Sequence, residues 1–301
     1  MIRLATRGSA LALAQAALVA HRLRAQGEAV EVVPLRTEGD RLAEARLATL
    51  GGKGLFVLEI EQALLEGRVD CAVHSLKDLP AALPAGLVLA AFPPRDAAGD
   101  VLVTRDGGGL DDLPAGAVVG TSSPRRRALV LALRPDLSVM PMRGNVDTRL
   151  RKLADGACDA LVLAAAGLAR LGLAPAHVRP LDPAVFVPAV GQGILAVEAR
   201  VADRRAAGLL EAVDHAPTRA CALAERAYLG RLGASCNSPM AAHATLGGGR
   251  LRLTALVASE DGQQVLRGED AGAAEDAERI GRRLAESLLA RGAAAVTALR
   301  V

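Results

Sequence analysis

Several short stretches of this 301-residue chain combine residue types that can do chemistry. In His74-Ser-Leu-Lys77-Asp78-Leu-Pro80 an imidazole, an ammonium and a carboxylate fall within one short segment. A lysine adjacent to Asp78 keeps the carboxylate ionised, as a charge partner for a cationic intermediate would need. The plain alternative is a surface ion pair worth about 0–1 kcal/mol. Arg7-Gly-Ser9, Thr121-Ser-Ser-Pro-Arg125-Arg-Arg127 and Arg143-Gly-Asn-Val-Asp-Thr-Arg149 are of another kind. Each reads as the turn from a strand into a helix, where unpaired amides and the helix dipole favour an anion. Cys236, in Gly233-Ala-Ser-Cys236-Asn-Ser-Pro239, sits in a polar loop and suits a nucleophile or an attachment point. No Cys–His–Asn protease signature surrounds it.

Arg125 and Arg126 follow Pro124 at the start of a helix, where the dipole disfavours a cation by a few tenths of a kcal/mol to about 1 kcal/mol. Consecutive arginines there imply a bound anion that offsets the cost, whereas Arg127 reads as a solvated face. Arg170, after Ala164-Ala-Ala-Gly167, is a further candidate contributor. Guanidinium forks bind planar oxyanions in bidentate fashion, so the set suits a ligand with several carboxylates or phosphates. Gly51-Gly-Lys53-Gly-Leu-Phe56 lacks the spacing and the Ser/Thr of a P-loop, which argues against an NTPase. It reads instead as a glycine loop with Lys53 at its tip, placed to act as a lid.

The elements that must position these residues alternate. Ile2–Thr6, Val30–Leu35 and Val69–Val73 read as strands, with helices from Ser9 (Leu11, Leu13, Leu18 and Val19 at helical spacing) and over Leu55–Gly67. Past the breaker-rich 92–99, strands over Val101–Thr104, Ala117–Val119, Leu137–Met140 and Ala160–Leu163 alternate with helices over Pro124–Leu133 and Val146–Asp155. A second breaker-rich passage, Pro188-Ala-Val-Gly-Gln-Gly193, precedes the strand-like Ile194–Ala199. This pattern implies mostly parallel sheets with helices on both faces, and ligands gathered at the carboxyl ends of strands. Two α/β lobes, 1–97 with 194–215 and 98–193, would be crossed twice by the chain, as suits a hinged cleft. From 216 to 301 a helix over Thr218–Arg231, three strand candidates and a long helix over Ala274–Arg291 form a small α+β domain.

Composition narrows the classes. With 51% hydrophobic and 23% charged residues the chain reads as a soluble globular protein. Aromatics are 1%, namely Phe56, Phe92, Phe186 and Tyr228, so a base-stacking platform is a poor candidate. Net charge is only +3, yet between Thr121 and Lys152 eight basic residues face two acids. DNA backbone is a rival ligand for that cluster, weakened by the near-neutral total and the lack of a nucleic-acid motif. A two-lobed, non-catalytic binder of a polyanionic small molecule is a second alternative. Of 36 Lys and Arg residues only Lys53, Lys77 and Lys152 are lysine, and the first two fall in the candidate loops. Cys71, Cys158 and Cys221 lie in strand or helix patterns and read as small buried hydrophobes. No CxxC pair, signal segment or membrane-length apolar run is read, so the expectation is the cytoplasm, with no metal and no membrane partner.

Taken in order, Ala5-Thr-Arg-Gly-Ser9, Gly51-Gly-Lys-Gly-Leu-Phe56, His74-Ser-Leu-Lys-Asp-Leu-Pro80, Gly120-Thr-Ser-Ser-Pro-Arg-Arg126, Arg143-Gly-Asn-Val-Asp-Thr-Arg-Leu150, Pro188-Ala-Val-Gly-Gln-Gly193 and the late Cys-x-x-Pro resemble the porphobilinogen deaminases (hydroxymethylbilane synthases). The resemblance covers nearly the whole chain. It implies an α/β fold with two periplasmic-binding-protein-like lobes on a hinged cleft and a small C-terminal α+β domain. It also implies a dipyrromethane cofactor held by a thioether to Cys236. Four porphobilinogens would be joined head to tail with loss of ammonia and released as linear hydroxymethylbilane. Asp78 matches the catalytic carboxylate that stabilises the azafulvene cation. Arg7, Ser9, Ser75, Lys77, Thr121, Ser122, Ser123, Arg125, Arg126, Arg143, Gly144, Asn145, Arg149 and Arg170 match the cofactor and substrate binders. Lys53 and Phe56 match the active-site loop, and Gln192 the interdomain strand region. The protein would act as a monomer. The cysteine loop reads Ala-Ser-Cys where the family usually has Gly-Gly-Cys, and Thr49 stands where some members have lysine.

Overall fold

The computed structural model describes residues 1–35, 57–233 and 238–297. Lys53, Phe56 and Cys236, and with them Thr49, lie outside the described residues. Two compact units carry three sheets, one unit formed by Met1–Asp96 with Ile194–Arg219 and the other by Ala97–Gly193 with Ala220–Val301.

In the first unit β1 (Ile2–Arg7) runs parallel to β2 (Val30–Leu35) and β3 (Cys71–Ser75). The returning strand β10 (Leu195–Arg200) then enters antiparallel, next to both β3 and β4 (Leu87–Ala91), giving the order β2-β1-β3-β10-β4. The sheet is therefore mixed rather than mostly parallel, because its last strand arrives from the far side of the other unit's sequence. Helix α1 (Ala10–Arg24) is capped by Ser9, whose hydroxyl accepts from the Ala12 amide at 3.3 Å. Its buried face is Ala12, Gln15, Ala16, Val19, Ala20 and Leu23, while Leu13 and Leu18 are 38% and 48% exposed. In so alanine-rich a helix the small residues let it lie close on the sheet, so leucine spacing points to the wrong face. Helix α2 (Leu58–Leu65) covers the opposite face of the sheet, with Ile60, Ala63 and Leu64 packed on Ala5, Val69 and Ala72. Arg3 locks the sheet edgewise, its Nη2 2.7 Å from Asp70 Oδ1. The short helix α6 (Arg204–Glu211) is capped by Asp203.

In the second unit the strands β5 (Asp100–Thr104), β6 (Val118–Gly120), β7 (Ser138–Met140), β8 (Ala160–Ala164) and β9 (Val178–Pro180) take the order β7-β6-β8-β5-β9. β6 pairs parallel with β7 and β8, and β5 antiparallel with β8 and β9. Helix α3 (Pro124–Leu133) starts where the sequence places it, with Ser123 as N-cap and Pro124 in the first turn. Helices α4 (Val146–Ala154) and α5 (Ala165–Arg170) follow β7 and β8. The same unit holds an antiparallel meander, β11 (Met240–Gly247), β12 (Arg250–Ala258) and β13 (Val265–Ala273). With it come α7 (Ala216–Arg231, whose first turn belongs to the other unit), α8 (Ala277–Ala290) and α9 (Ala293–Val296).

The meander shares a core with α3. Ala241, Leu256 and Ala258 are buried together with Ala128, Leu129 and Val130. At Gly262, φ is +72° and an added Cβ would lie 2.4 Å from the Ala128 carbonyl oxygen, so the hairpin turn rests directly on the helix backbone. The expected helix over Ala274–Arg291 is a 3-10 turn, Ala274–Asp276, leading into α8.

Candidate active site

The first unit gathers part of the expected set into one pocket. Arg7 ends β1, Ser9 caps α1, Ser75 ends β3, and Asp78 closes the 3-10 turn Leu76–Asp78 that follows. All four line a common pocket, with Gln15 and His74. Asp78 is exposed there. His74 and Ser75 are the last residues of the strand, not part of the loop the sequence suggests, and His74 is 6% exposed. Alternation along β3 separates the two. Cys71 and Val73 share a core with α1, while Ala72 packs with α2. Ser75 thus belongs to the α1 side, where its hydroxyl accepts from Gln15 Nε2 at 2.8 Å. Gln15 was not anticipated. The signal available was an amide on the small-residue face of α1, which must find a partner when buried.

In the second unit Ser122, Ser123 and Thr121 form the entrance to α3. Ser122 donates to the Met142 carbonyl at 2.9 Å, and Thr121 Oγ1 accepts from the Ser123 amide at 3.2 Å. These three line a pocket with Arg127 and Arg143. Arg127 is exposed, as read from sequence, with its Nη1 3.0 Å from the Val139 carbonyl oxygen, and it also lines that pocket. Gly144 has φ +109°, which turns the exposed 143–145 segment into α4, and Asn145 stands at the helix start. Arg149 Nε donates back to the Gly144 carbonyl at 2.8 Å. Among the described residues no carboxylate lies within ion-pair distance of Arg143 or Arg149. Burial first, and repulsion from Arg126 second, pull the Arg149 guanidinium below its ordinary range.

Arg125 and Arg126 are handled differently. Both are buried, at 4% and 7% exposure, and both face Asp100, which is 1% exposed at the start of β5. Arg126 reaches Asp100 Oδ1 with Nε at 3.0 Å and Nη2 at 2.7 Å, and its Nη1 donates to the Val162 carbonyl at 2.9 Å. Arg125 Nη1 is 2.8 Å from Asp100 Oδ2 and donates to the Val187 carbonyl at 2.8 Å, with the guanidinium 5.7 Å over the Phe186 ring. Gln192 joins them, its Nε2 3.1 Å from Asp100 Oδ1 and 2.7 Å from the Ala98 carbonyl. Burial would raise the Asp100 carboxyl, but the two guanidiniums outweigh it and hold it well below the usual carboxylate range. The anion that consecutive arginines at a helix start demand is here one the chain itself supplies. Asp100 was missed because an acid opening a strand is ordinary in sequence. Arg170 Nη2 donates to the Gly193 carbonyl at 2.7 Å.

The chemistry of these donors fits a polyanion. Helix entrances, hydroxyls and guanidiniums converge on small pockets in each unit, and an exposed carboxylate stands among them in the first. No helix among the described residues is long and apolar enough to cross a membrane.

One family model, "Porphobilinogen deaminase, dipyromethane cofactor binding domain", matches residues 2–208, and another, "Porphobilinogen deaminase, C-terminal domain", matches 219–290. The porphobilinogen deaminase of Desulforudis audaxviator is 52% identical over 295 residues, 97% of this chain and 96% of the relative. That of Syntrophotalea carbinolica is 47% identical over 294 residues, 97% and 93% of the two chains. Among solved structures, a periplasmic substrate-binding protein of an ABC transporter from Coxiella burnetii aligns with 71% of this chain and 92% of its own, at 16% identity and TM-score 0.43. Two family models spanning most of the sequence, and near-full-length relatives at about half identity, establish that the chain belongs to the porphobilinogen deaminase family.

Proposed function

We propose that this protein joins four porphobilinogen molecules head to tail, with loss of ammonia, and releases the linear tetrapyrrole hydroxymethylbilane. The observation that carries the reading is the pocket of the first unit, where an exposed carboxylate, Asp78, stands beside a guanidinium and a helix N-terminus. Each pyrrole of substrate and product carries an acetate and a propionate, so a growing chain accumulates anions. Arg7 and the amides opening α1 take such a carboxylate, and Ser9 and Ser75 add hydroxyl donors. Asp78 holds its negative charge next to the cation that forms as ammonia leaves, and accepts or returns the pyrrole N–H proton.

Arg143, Arg149 and the Thr121–Ser123 turn bind further carboxylates of the same chain. Arg149 is suited to this because a half-buried guanidinium short of acid partners gains most from an incoming anion. Arg125, Arg126, Gly144, Asn145, Arg170 and Gln192 shape and charge the same walls, with Arg125 and Arg126 acting through their shared Asp100. Cys236 would hold a dipyrromethane primer by a thioether, and that group would supply the pyrrole carbon on which the chain grows. Lys53 and Phe56 are assigned to the active site through the family motif they match. The enzyme works as a cytoplasmic monomer.

The intact mass of the untreated protein tests this reading. The expected result is a mass above that of the sequence by one dipyrromethane, lost in Cys236→Ser together with turnover. A wild-type mass equal to the sequence, or a fully active Cys236→Ser, overturns it. A non-catalytic polyanion binder predicts no bound chromophore and no colour with an aldehyde reagent for pyrroles.

A further inference from the structure

Behind the pocket of Asp78 lies a cluster of titratable groups that the proposed chemistry does not use. His74 Nε2 is 3.0 Å from Glu198 Oε2, with side-chain exposures of 5% and 0%. The sheet register makes this meeting inevitable. On β10, Ala196 lies opposite His74 and Glu198 opposite Ala72, so all four share one face and His74 and Glu198 are diagonal neighbours. Helix α2 covers that face and brings Glu61, itself 5% exposed, into the same space. The second oxygens, Glu61 Oε1 and Glu198 Oε1, are buried with no hydrogen-bond partner among the described residues.

Two carboxyls and one imidazole in a dry site do not tolerate full ionisation. Burial first, and the charge of Glu198 second, push the Glu61 carboxyl up, with His74 opposing. Glu198 meets the ring through Oε2, and a carboxylate can only accept. His74 must then donate from Nε2, which leaves its other ring nitrogen the acceptor. The sequence alone offered one hint, a lone acid in the apolar run Ile194–Ala199. A lone acid in a fully buried strand requires a partner elsewhere.

Resting on the reading above, we propose that Glu198 is a positioning residue. It acts through His74, which it holds in the Nε2–H tautomer as a proton-accepting wall of the pocket that contains Asp78. His74 is tied to that pocket twice over, as one of its lining residues and as the strand residue just before Ser75, which leads into the Leu76–Asp78 turn. Proton exchange at Asp78 therefore takes place beside an imidazole of fixed orientation. If the cluster merely filled the core, a neutral isostere would serve as well.

The test is Glu198→Gln in the full chain, with Glu198→Asp as the charged rescue. Intact mass and thermal midpoint establish that each variant is folded and carries the same covalent group as wild type. The expected result is kcat lower by about tenfold or more in Glu198→Gln, with KM for porphobilinogen within about twofold. Glu198→Asp should recover part of the loss. 15N NMR of the imidazoles, with His74→Asn to assign the signal, should report the Nε2–H tautomer in wild type and its loss in Glu198→Gln. An unchanged kcat and tautomer in folded Glu198→Gln overturns the proposal. So does a loss that appears equally in KM and thermal midpoint, which marks a packing role. If wild type turns over no porphobilinogen, the functional reading fails, and the tautomer arm alone decides whether Glu198 governs His74.

Discussion

Asp100 offers the sharpest test of how this protein spends its arginines. Replacing it with Asn keeps the shape of the side chain and removes the charge that faces both Arg125 and Arg126. Oδ1 takes two nitrogens of Arg126 and the Gln192 amide, and Oδ2 pairs with Arg125 at 2.8 Å. After the change each guanidinium keeps one backbone carbonyl, of Val187 or Val162, and Arg125 keeps the Phe186 ring. Neither contact carries charge. Removing one partner of a buried ion pair costs about 3–5 kcal/mol, because the other is left uncompensated in a poorly solvated site. A loss of roughly 4 kcal/mol is a large share of a typical stability of about 5–15 kcal/mol. It lowers the thermal midpoint by on the order of 10 °C in a protein of this size.

The assay is calorimetric melting of wild type, Asp100→Asn, Arg126→Met and the double variant. Each single variant should be destabilised, and the double variant should be more stable than the sum of the two losses implies, because it removes the stranded charge. A midpoint for Asp100→Asn within about 2 °C of wild type refutes the reasoning, since a change worth so little cannot strand two buried cations. Strict additivity in the cycle refutes it as well. The acid limb gives an independent sign. Asp100 is lowered in the folded state, so its contribution is present above the usual carboxylate range and disappears only as pH falls through the lowered value. Asp100→Asn should therefore flatten stability at strongly acid pH while lowering it at neutral pH.

Asp78→Ala should abolish porphobilinogen consumption while leaving the melting curve within about 1 kcal/mol of wild type, since the side chain is exposed; retained product formation would remove its catalytic role. Gly262→Ala should destabilise the second unit by about 1–3 kcal/mol through its positive φ and the 2.4 Å approach to the Ala128 carbonyl, read as a lower urea midpoint at unchanged slope. Glu61 is raised in the folded state, so its contribution is fully present below the ordinary glutamate range and lost as pH rises through the raised value. Urea midpoints across mildly acid to neutral pH should show that fall in wild type and not in Glu61→Gln.

Where local chemistry decides structure, the sequence was legible. Ser9 before an apolar helix and Ser123-Pro124 before another gave both helix starts, and the caps are there with the expected donors. Glycine after strand-like runs marks the turns at Gly8 and Gly144 that lead into α1 and α4. Where packing between distant segments decides, single residues misled. Leu13 and Leu18 look like core positions but face solvent, because alanines allow α1 a closer seat than leucines would. The direction of β10 could not be read, since a strand's own residues do not record which neighbour it joins. That direction creates both the mixed sheet and the meeting of Glu198 with His74. Gln15, Asp100 and Glu198, which meet motif residues in space, could not be read from the sequence, because a partner is defined by space and not by sequence distance.

The Asp100 cluster also changes what the basic segment means for ligand binding. Two guanidiniums and one carboxylate leave one positive charge in excess inside the protein, at the start of α3, where the helix dipole adds to it. That excess is fixed in place by Asp100 and by the Val162 and Val187 carbonyls, so it cannot swing toward a ligand as a surface arginine does. Its field acts instead through the Thr121–Ser123 entrance, whose hydroxyls and amides stand nearest the helix start. Arg149 already registers it, being pulled down in part by Arg126. An anion arriving there would relieve that repulsion as well as gaining hydrogen bonds. A carboxylate lost from the ligand should then cost more at this turn than at an exposed arginine, where solvent and salt screen the charge. Within one arginine-rich segment, some arginines set the potential of the site and others are placed to make contacts. Burial and internal pairing, not the count of basic residues, tell them apart.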